Sequence, residues 1–235
     1  TVVNPFNPRQ VARVSLAPAD VDAIVFWTKD ARPLIPHLDR LNRLGYRYYF
    51  QYTVNGYGKP LEPHVPPLDD CIDTFCELAA KIGADKVIWR YDPIVISNKT
   101  DVKYHKERFA GILDRLRKST RRVVISFVDV YRKAAAQFRQ LAREGVTVRL
   151  TPGSDEVTEL AGFIGQTAAV HGIETFSCAE TLDLRQFGIQ PGKCIDDALL
   201  EKLFSIRVGS GKDRSQRPEC GCVAAKDIGV YGTCR

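Results

Sequence analysis

Short apolar runs alternate with amphipathic stretches along most of this chain. Six runs rich in Val, Ile, Phe, Tyr and Trp predict strands at residues 23–28, 48–54, 86–94, 122–130, 146–152 and 174–179. They carry few charges and show little alternation, as expected of strands covered on both faces of a parallel sheet. Between them, "PLDDCIDTFCELAAKIG" puts Leu68, Cys71, Ile72, Phe75, Leu78 and Ala79 on one helical stripe. "YHKERFAGILDRLRKS" has the same character, and Gly83 and Gly145 each stand just before a predicted strand, where a helix stops.

Strand–helix alternation predicts an α/β fold with right-handed crossovers. Neither GxGxxG nor a P-loop occurs, so dinucleotide and Walker-type nucleotide binding lack support. The pattern therefore favours a TIM-barrel-like (β/α) barrel, closed or left partly open, over residues 1–181. From Leu182 onward the chain turns loop-rich, with one helical stretch, "DDALLEKLFSI", and then polar, glycine-containing sequence. Residues 182–235 are expected to form a cysteine-rich C-terminal appendage across the barrel mouth.

Composition changes this picture little. A chain of 235 residues, 44% hydrophobic and 26% charged, suffices for one sizeable core. No apolar run approaches the roughly 20 residues of a membrane helix, and the start "TVVNPFNPRQ" lacks a secretory pattern. A cytoplasmic protein with no membrane partner is the expectation. The net charge of +6 admits an anionic substrate or nucleic acid but is equally met by solvated helix faces. Methionine is absent, an initiator included, which reads as a trimmed chain.

In barrels of parallel strands, chemistry gathers at the C-terminal strand ends. Those positions offer Lys29, Arg90, Asp92, Asp129 and Glu180 as candidate catalytic or substrate-holding groups. Arg90 and Asp92, two apart on a strand, share a face. They make either a salt bridge closing the mouth or a clamp in which Asp92 orients Arg90 toward a carboxylate or phosphate. Trp27 and Trp89 are expected to fill the core. His37, His64, His105 and His171 form no metal-binding spacing and are expected at the surface or at helix caps.

Seven cysteines in such a chain point to metal or catalysis before disulfides. Cys71 and Cys76, about 140° apart on a helix, do not chelate one ion together; Cys71 belongs to the apolar stripe. The other five, Cys178, Cys194, Cys220, Cys222 and Cys234, fall in the last quarter. Four thiolates are the number that zinc or a [4Fe–4S] cluster takes, and Cys178, Cys194, Cys220 and Cys222 supply them. Zinc, a cluster and unliganded thiols all remain open at this point.

The segments "NPFNPRQVARVS", "IVFWTKD", "YYFQYTVNGYG", "VIWRYDPIV", "VISFVDVYRK", "FSCAE", "GKCID" and "ECGCVAAKDIGVYGTC" together resemble the bacterial family called domain of unknown function 1848. Members begin earlier, with an Arg-Arg-Thr-Asp segment, and continue into a Cys-x3-Cys-x2-Cys run similar to that of radical S-adenosylmethionine (SAM) enzymes. The resemblance implies a chain truncated at both ends, with Cys234 as the first cysteine of that triad. It implies a [4Fe–4S] cluster at the triad, S-adenosylmethionine as cofactor, and an electron donor such as flavodoxin or ferredoxin. The barrel order would then be permuted, because the triad follows the last strand instead of the first. The remaining cysteines suit an auxiliary [4Fe–4S] cluster, or zinc as the alternative. A distant similarity to spore photoproduct lyase, from "DPIVI" into "YHKERFAGILDRL", adds a nucleic-acid-derived substrate beside a small molecule. The competing readings are a non-redox barrel enzyme, with Asp129 or Glu180 as base and a structural zinc, and a binding protein for anionic ligands.

Overall fold

The computed structural model describes residues 2–4, 7–128, 132–149, 153–213 and 216–229. A separate antiparallel hairpin pairs β1 (Val2–Asn4) with β2 (Asn7–Ala12). The main sheet follows: β3 (Ile24–Thr28), β4 (Tyr48–Thr53), β5 (Val87–Ile94), β6 (Arg122–Phe127), β7 (Glu174–Cys178) and β8 (Ile189–Gly192). Its strands are parallel and lie side by side in sequence order. The helices are α1 (Leu38–Arg43), α2 (Leu68–Ile82), α3 (Val102–Leu116), α4 (Arg132–Arg143), α5 (Ser154–Val170) and α6 (Asp197–Phe204).

Strands wound in one direction with one crossover hand deliver their helices to the same face. The packing bears this out. Tyr48, Phe50 and Tyr52 of β4, Trp89 and Tyr91 of β5 and Ile125 of β6 form one core with Phe75 of α2, Phe109 of α3 and Ile164 of α5. Alternate residues of the same strands face the other way. There Tyr49, Ile88 and Val124 pack against Leu199 and Leu200 of α6. Every residue of β4 is buried, which explains the missing alternation.

Local signals set the helix ends. Asp101 caps α3 by accepting from the Tyr104 N–H at 2.8 Å, and Asp196 caps α6 by accepting from Ala198 and Leu199. Gly83 ends α2 at φ 97°, a conformation that disfavours side chains. Within α5, Gly165 lies so close to the chain before β8 that an added Cβ would stand 1.9 Å from the Phe187 carbonyl oxygen.

The structure corrects the expected barrel. Among the described residues β3 and β8 are edges that do not pair with each other, so the sheet is open where a barrel must close. The strand expected at 146–152 is not in the sheet. Residues 146–149 run beside the segment after β5, through the Arg149 N–H to Ile96 carbonyl bond at 2.8 Å and an isolated Ser97–Val148 bridge; residues 150–152 lie outside the described set. Strand-prone composition there is overridden by tertiary context. The sixth strand is β8, whose Pro191 and Gly192 read as a turn. An edge strand tolerates the proline, and Gly192 is needed because a Cβ would come 2.9 Å from Phe176 Cβ and from the Ser177 carbonyl oxygen. The sheet thus runs across the expected boundary after residue 181.

Candidate functional site

The face opposite the helical layer carries the polar chemistry at the C-terminal strand ends. From β5 it presents Arg90 and Asp92, from β6 Ser126, and from β7 Cys178. Arg90 is only 6% exposed. Its Nε donates to Asp92 Oδ2 at 3.0 Å, with Nη2 on the same oxygen, while Nη1 donates to Cys194 Sγ at 2.6 Å. The second oxygen of Asp92 accepts from the Ser126 hydroxyl. Burial opposes the charge on Arg90, but Asp92 and the sulfurs of Cys194 and Cys178 outweigh it, so the guanidinium stays charged. Glu180, just past β7, accepts from the Phe127 N–H at 2.6 Å.

Four cysteines meet beside this pair. Cys194, Cys220 and Cys222 are buried together and Cys178 packs against them. Cys178 ends β7, Cys194 lies two residues beyond β8, and the turn with Cys220 and Cys222 is tied down by the Val223 N–H to Ile195 carbonyl bond at 3.2 Å. Cys222 Sγ accepts from the N–H groups of Cys194 at 3.2 Å and Ile195 at 3.4 Å. The sulfurs of Cys178 and Cys194 are 3.3 Å apart, and neither cysteine is in a disulfide.

This bonding divides the protons unequally. The Cys194 thiol and then the Ile195 N–H pull the Cys222 thiol down to about 5, against burial. Cys194 likewise lowers Cys178 to about 7, with help from Arg90. Cys194 itself is pushed well above its ordinary value, because its proton serves Cys178 and Cys222 and because it is buried. Burial raises Cys220. Since Arg90 faces Cys194, the negative charge is shared across the S–H···S contacts as one coupled group.

Four sulfurs that share negative charge beside a cation make a donor set suited to a soft metal. The sulfurs nevertheless touch. Across one tetrahedral zinc, with Zn–S bonds of about 2.3 Å, they would stand about 3.8 Å apart. Among the described residues no group of three or more His, Cys, Asp or Glu side chains already stands in an arrangement that could hold a metal ion.

A cavity of about 1230 Å³ opens over the strand ends, with Arg90, Asp92, Ser126, Cys178 and Glu180 in its lining. The segment between β4 and α2 supplies one wall with Lys59, Pro60, Leu61 and His64; Phe138 and Leu141 of α4 supply another. Among the described residues of the lining, Lys59, Arg90 and Arg217 are balanced in formal charge by Asp92, Glu144 and Glu180. Of the cluster, Cys178 alone reaches this lining among the described residues.

The structure thus brings together Arg90, Asp92, Glu180, Cys178, Cys194, Cys220 and Cys222. Lys29 stands apart from the cavity lining, with its ammonium 2.6 Å from Glu62 Oε1. Glu62 also accepts from Asn55, whose side chain holds the Asp92 backbone in both directions. Asp129 and Cys234 lie outside the described residues. Trp89 is fully buried as expected, whereas Trp27, expected in the core, is 50% exposed because β3 is an edge. His105, expected at the surface or at a helix cap, is fully buried between the Tyr91 hydroxyl at 2.8 Å and the Val95 carbonyl at 3.0 Å. The cavity wall and the Glu62–Asn55 link went unanticipated. Their signal was the unusually long connection at residues 54–67, rich in Pro and Gly.

An open, sequentially wound α/β sheet with a thiol cluster and a cavity at its C-terminal edge is the class these features define. The family model described as Domain of unknown function (DUF1848) matches residues 1–235, and the chain belongs to that family. No curated protein and no solved structure matches the chain.

Proposed function

We propose that this chain, with its sheet and cavity, belongs to an iron–sulfur enzyme of radical SAM type acting on a substrate in the cavity. The convergence of Cys178, Cys194, Cys220 and Cys222 beside that cavity carries the reading. In it, these four hold an auxiliary cluster and Cys234 contributes to the cluster that takes S-adenosylmethionine; when bound, such a cluster supplies the electron that opens the sulfonium to a radical. The six-stranded, sequentially ordered sheet supports the reading as an open form of the barrel. The free thiols suit a cytoplasmic setting, and among the described residues no helix is long and apolar enough to cross a membrane.

The chain's own groups have distinct parts. Arg90 holds the thiol cluster and Asp92 in one bonded unit, so it positions the cluster and does not present a free clamp. Glu180 and Ser126 face the substrate space, and Asp129 falls on the segment after β6. Lys29 acts at a distance, fixing the cavity wall through Glu62. The charge-balanced lining suits a neutral or zwitterionic small molecule better than a polyanionic nucleic-acid backbone. This reading calls for an electron donor such as flavodoxin or ferredoxin.

A second reading is a single structural zinc in a non-redox enzyme. Four cysteines from one strand end and the neighbouring loops are also the number that a structural zinc takes, which supports it. Anaerobic purification of the full-length protein, with iron and zinc per chain and the visible spectrum, separates the two. About eight irons and a broad band near 400 nm support two clusters, and about four of those irons must be lost in Cys220→Ser. One zinc without iron supports the second reading, and a colourless, metal-free protein overturns both.

A further inference from the structure

The contact between Cys178 and Cys194 has its own chemistry, whether or not a metal is held. Cys178 pairs with Gly192 in the β7–β8 ladder, which places Cys194 two residues past its partner and brings the sulfurs to 3.3 Å. A disulfide bond of about 2.05 Å requires an approach of only about 1 Å. The two thiols differ in access. Cys178 is half-buried and lines the cavity, whereas Cys194 is 5% exposed and lies behind it. Immediately after Cys178, Ala179 adopts φ 51°, an uncommon conformation for a side-chain-bearing residue, and turns the chain along the cavity lining. Arg90 Nη1 donates to Cys194 Sγ at 2.6 Å, a cation beside the sulfur that must act as second nucleophile. Cys222 is anchored differently, by two backbone N–H groups.

We propose that Cys178 and Cys194 form a reversible thiol–disulfide pair. Cys178 is attacked first, by a small hydroperoxide entering the cavity, and Cys194 is the resolving thiol. In the first step the Cys178 sulfur attacks the peroxide, the O–O bond breaks, one water leaves and Cys178 becomes a sulfenic acid. In the second, the Cys194 sulfur attacks the Cys178 sulfur, the S–O bond breaks, and hydroxide departs with the Cys194 proton as a second water. Two thiols and one hydrogen peroxide thus give one disulfide and two waters. A small dithiol reverses the change, returning two hydrogens and becoming a disulfide itself. The proposal does not depend on the metal reading but limits it: the oxidised pair withdraws two of the four sulfurs that reading assigns to metal.

The test uses the full chain purified without oxygen, its metal content recorded, then stripped with a chelator and given one equivalent of hydrogen peroxide. The expected result is the loss of two thiols per chain, a cross-linked peptide joining Cys178 to Cys194, and full recovery with dithiothreitol. In Cys194→Ser, dimedone traps a sulfenic acid on Cys178. A cross-link joining Cys220 to Cys222 instead, or Cys178 oxidised no faster than the half-buried Cys76, overturns the proposal. The unsubstituted protein decides the matter even where a variant fails to fold. A cross-link in a preparation that never held metal sinks the metal reading alone. Bound metal followed by no cross-link after stripping sinks the thiol pair alone.

Discussion

Arg90 and Cys194 stand 104 positions apart in the chain, yet the guanidinium of one donates to the sulfur of the other at 2.6 Å. Arg90 is thereby the bond between two parts of the site, holding the carboxylate of Asp92 with one edge and the thiol cluster with the other. A planar group with several fixed donors can do this; a lysine ammonium cannot reach both with the same geometry.

Replacing Arg90 by Met leaves Asp92 without its ion-pair partner. Breaking a partly buried pair in this way costs about 3–5 kcal/mol at full burial, and somewhat less here because the Asp92 side chain is 18% exposed. Urea unfolding is the measurement. Arg90→Lys should recover part of the stability but not the retention of metal by the anaerobically purified chain. Equal metal retention in Arg90→Lys and the unsubstituted protein would falsify the positioning role.

Without metal, the cluster is expected to carry thiolate at neutral pH. Cys222 is drawn down to about 5, chiefly by the Cys194 thiol, from an ordinary value near 9. A depressed value means that the stabilisation is complete above the unfolded value and is lost as pH falls through about 5. Absorbance at 240 nm should therefore show thiolate at pH 7 in the unsubstituted protein and clearly less in Cys222→Ser. Stability should rise with pH between about 5 and 9.

His105 shifts the same balance for a different reason. Burial lowers its proton affinity below the ordinary 6.5, so the folded protein holds it neutral. Below about pH 6.5 the unfolded chain binds a proton that the folded chain refuses, and stability declines as pH falls. His105→Gln should be less stable at pH 7, having lost its bonds to Tyr91 and Val95, and should show a shallower decline toward pH 5 in thermal melts.

Two glycines of α5 should behave oppositely. A methyl at Gly165 would strike the Phe187 carbonyl oxygen, so Gly165→Ala should destabilise by about 1–3 kcal/mol or more. A methyl at Gly162 meets only the Phe187 ring at 3.5 Å, an ordinary contact. There alanine should be neutral or stabilising by about 0.5–1 kcal/mol through helix propensity. Thermal melts of both variants check the contrast.

Much of the fold was legible from patterns that depend on near neighbours. The stripe at Leu68, Cys71, Ile72 and Phe75 and the stops at Gly83 and Gly145 are local features, and they predicted α2 and the helix ends. The openness of the sheet was not legible, because closure depends on what the two edge strands meet. β8 was missed since Pro191 and Gly192 look like a turn unless Phe176 is known to lie against them. The gathering of the four late cysteines was readable from count and position, whereas their attachment to Arg90 was not. The burial of His105 depended on Tyr91 and the Val95 carbonyl coming together around it, which no spacing reveals.

The strict sequence order of the strands bears on how the molecule is made. Each strand emerging from the ribosome finds its neighbour already present, so the sheet can grow along its length as synthesis proceeds. The thiol cluster draws on β7, the residues after β8 and the turn at 220–222, the last parts of the described chain to appear. The cluster therefore cannot come together until those parts have emerged, by which point the strands it rests on are already present.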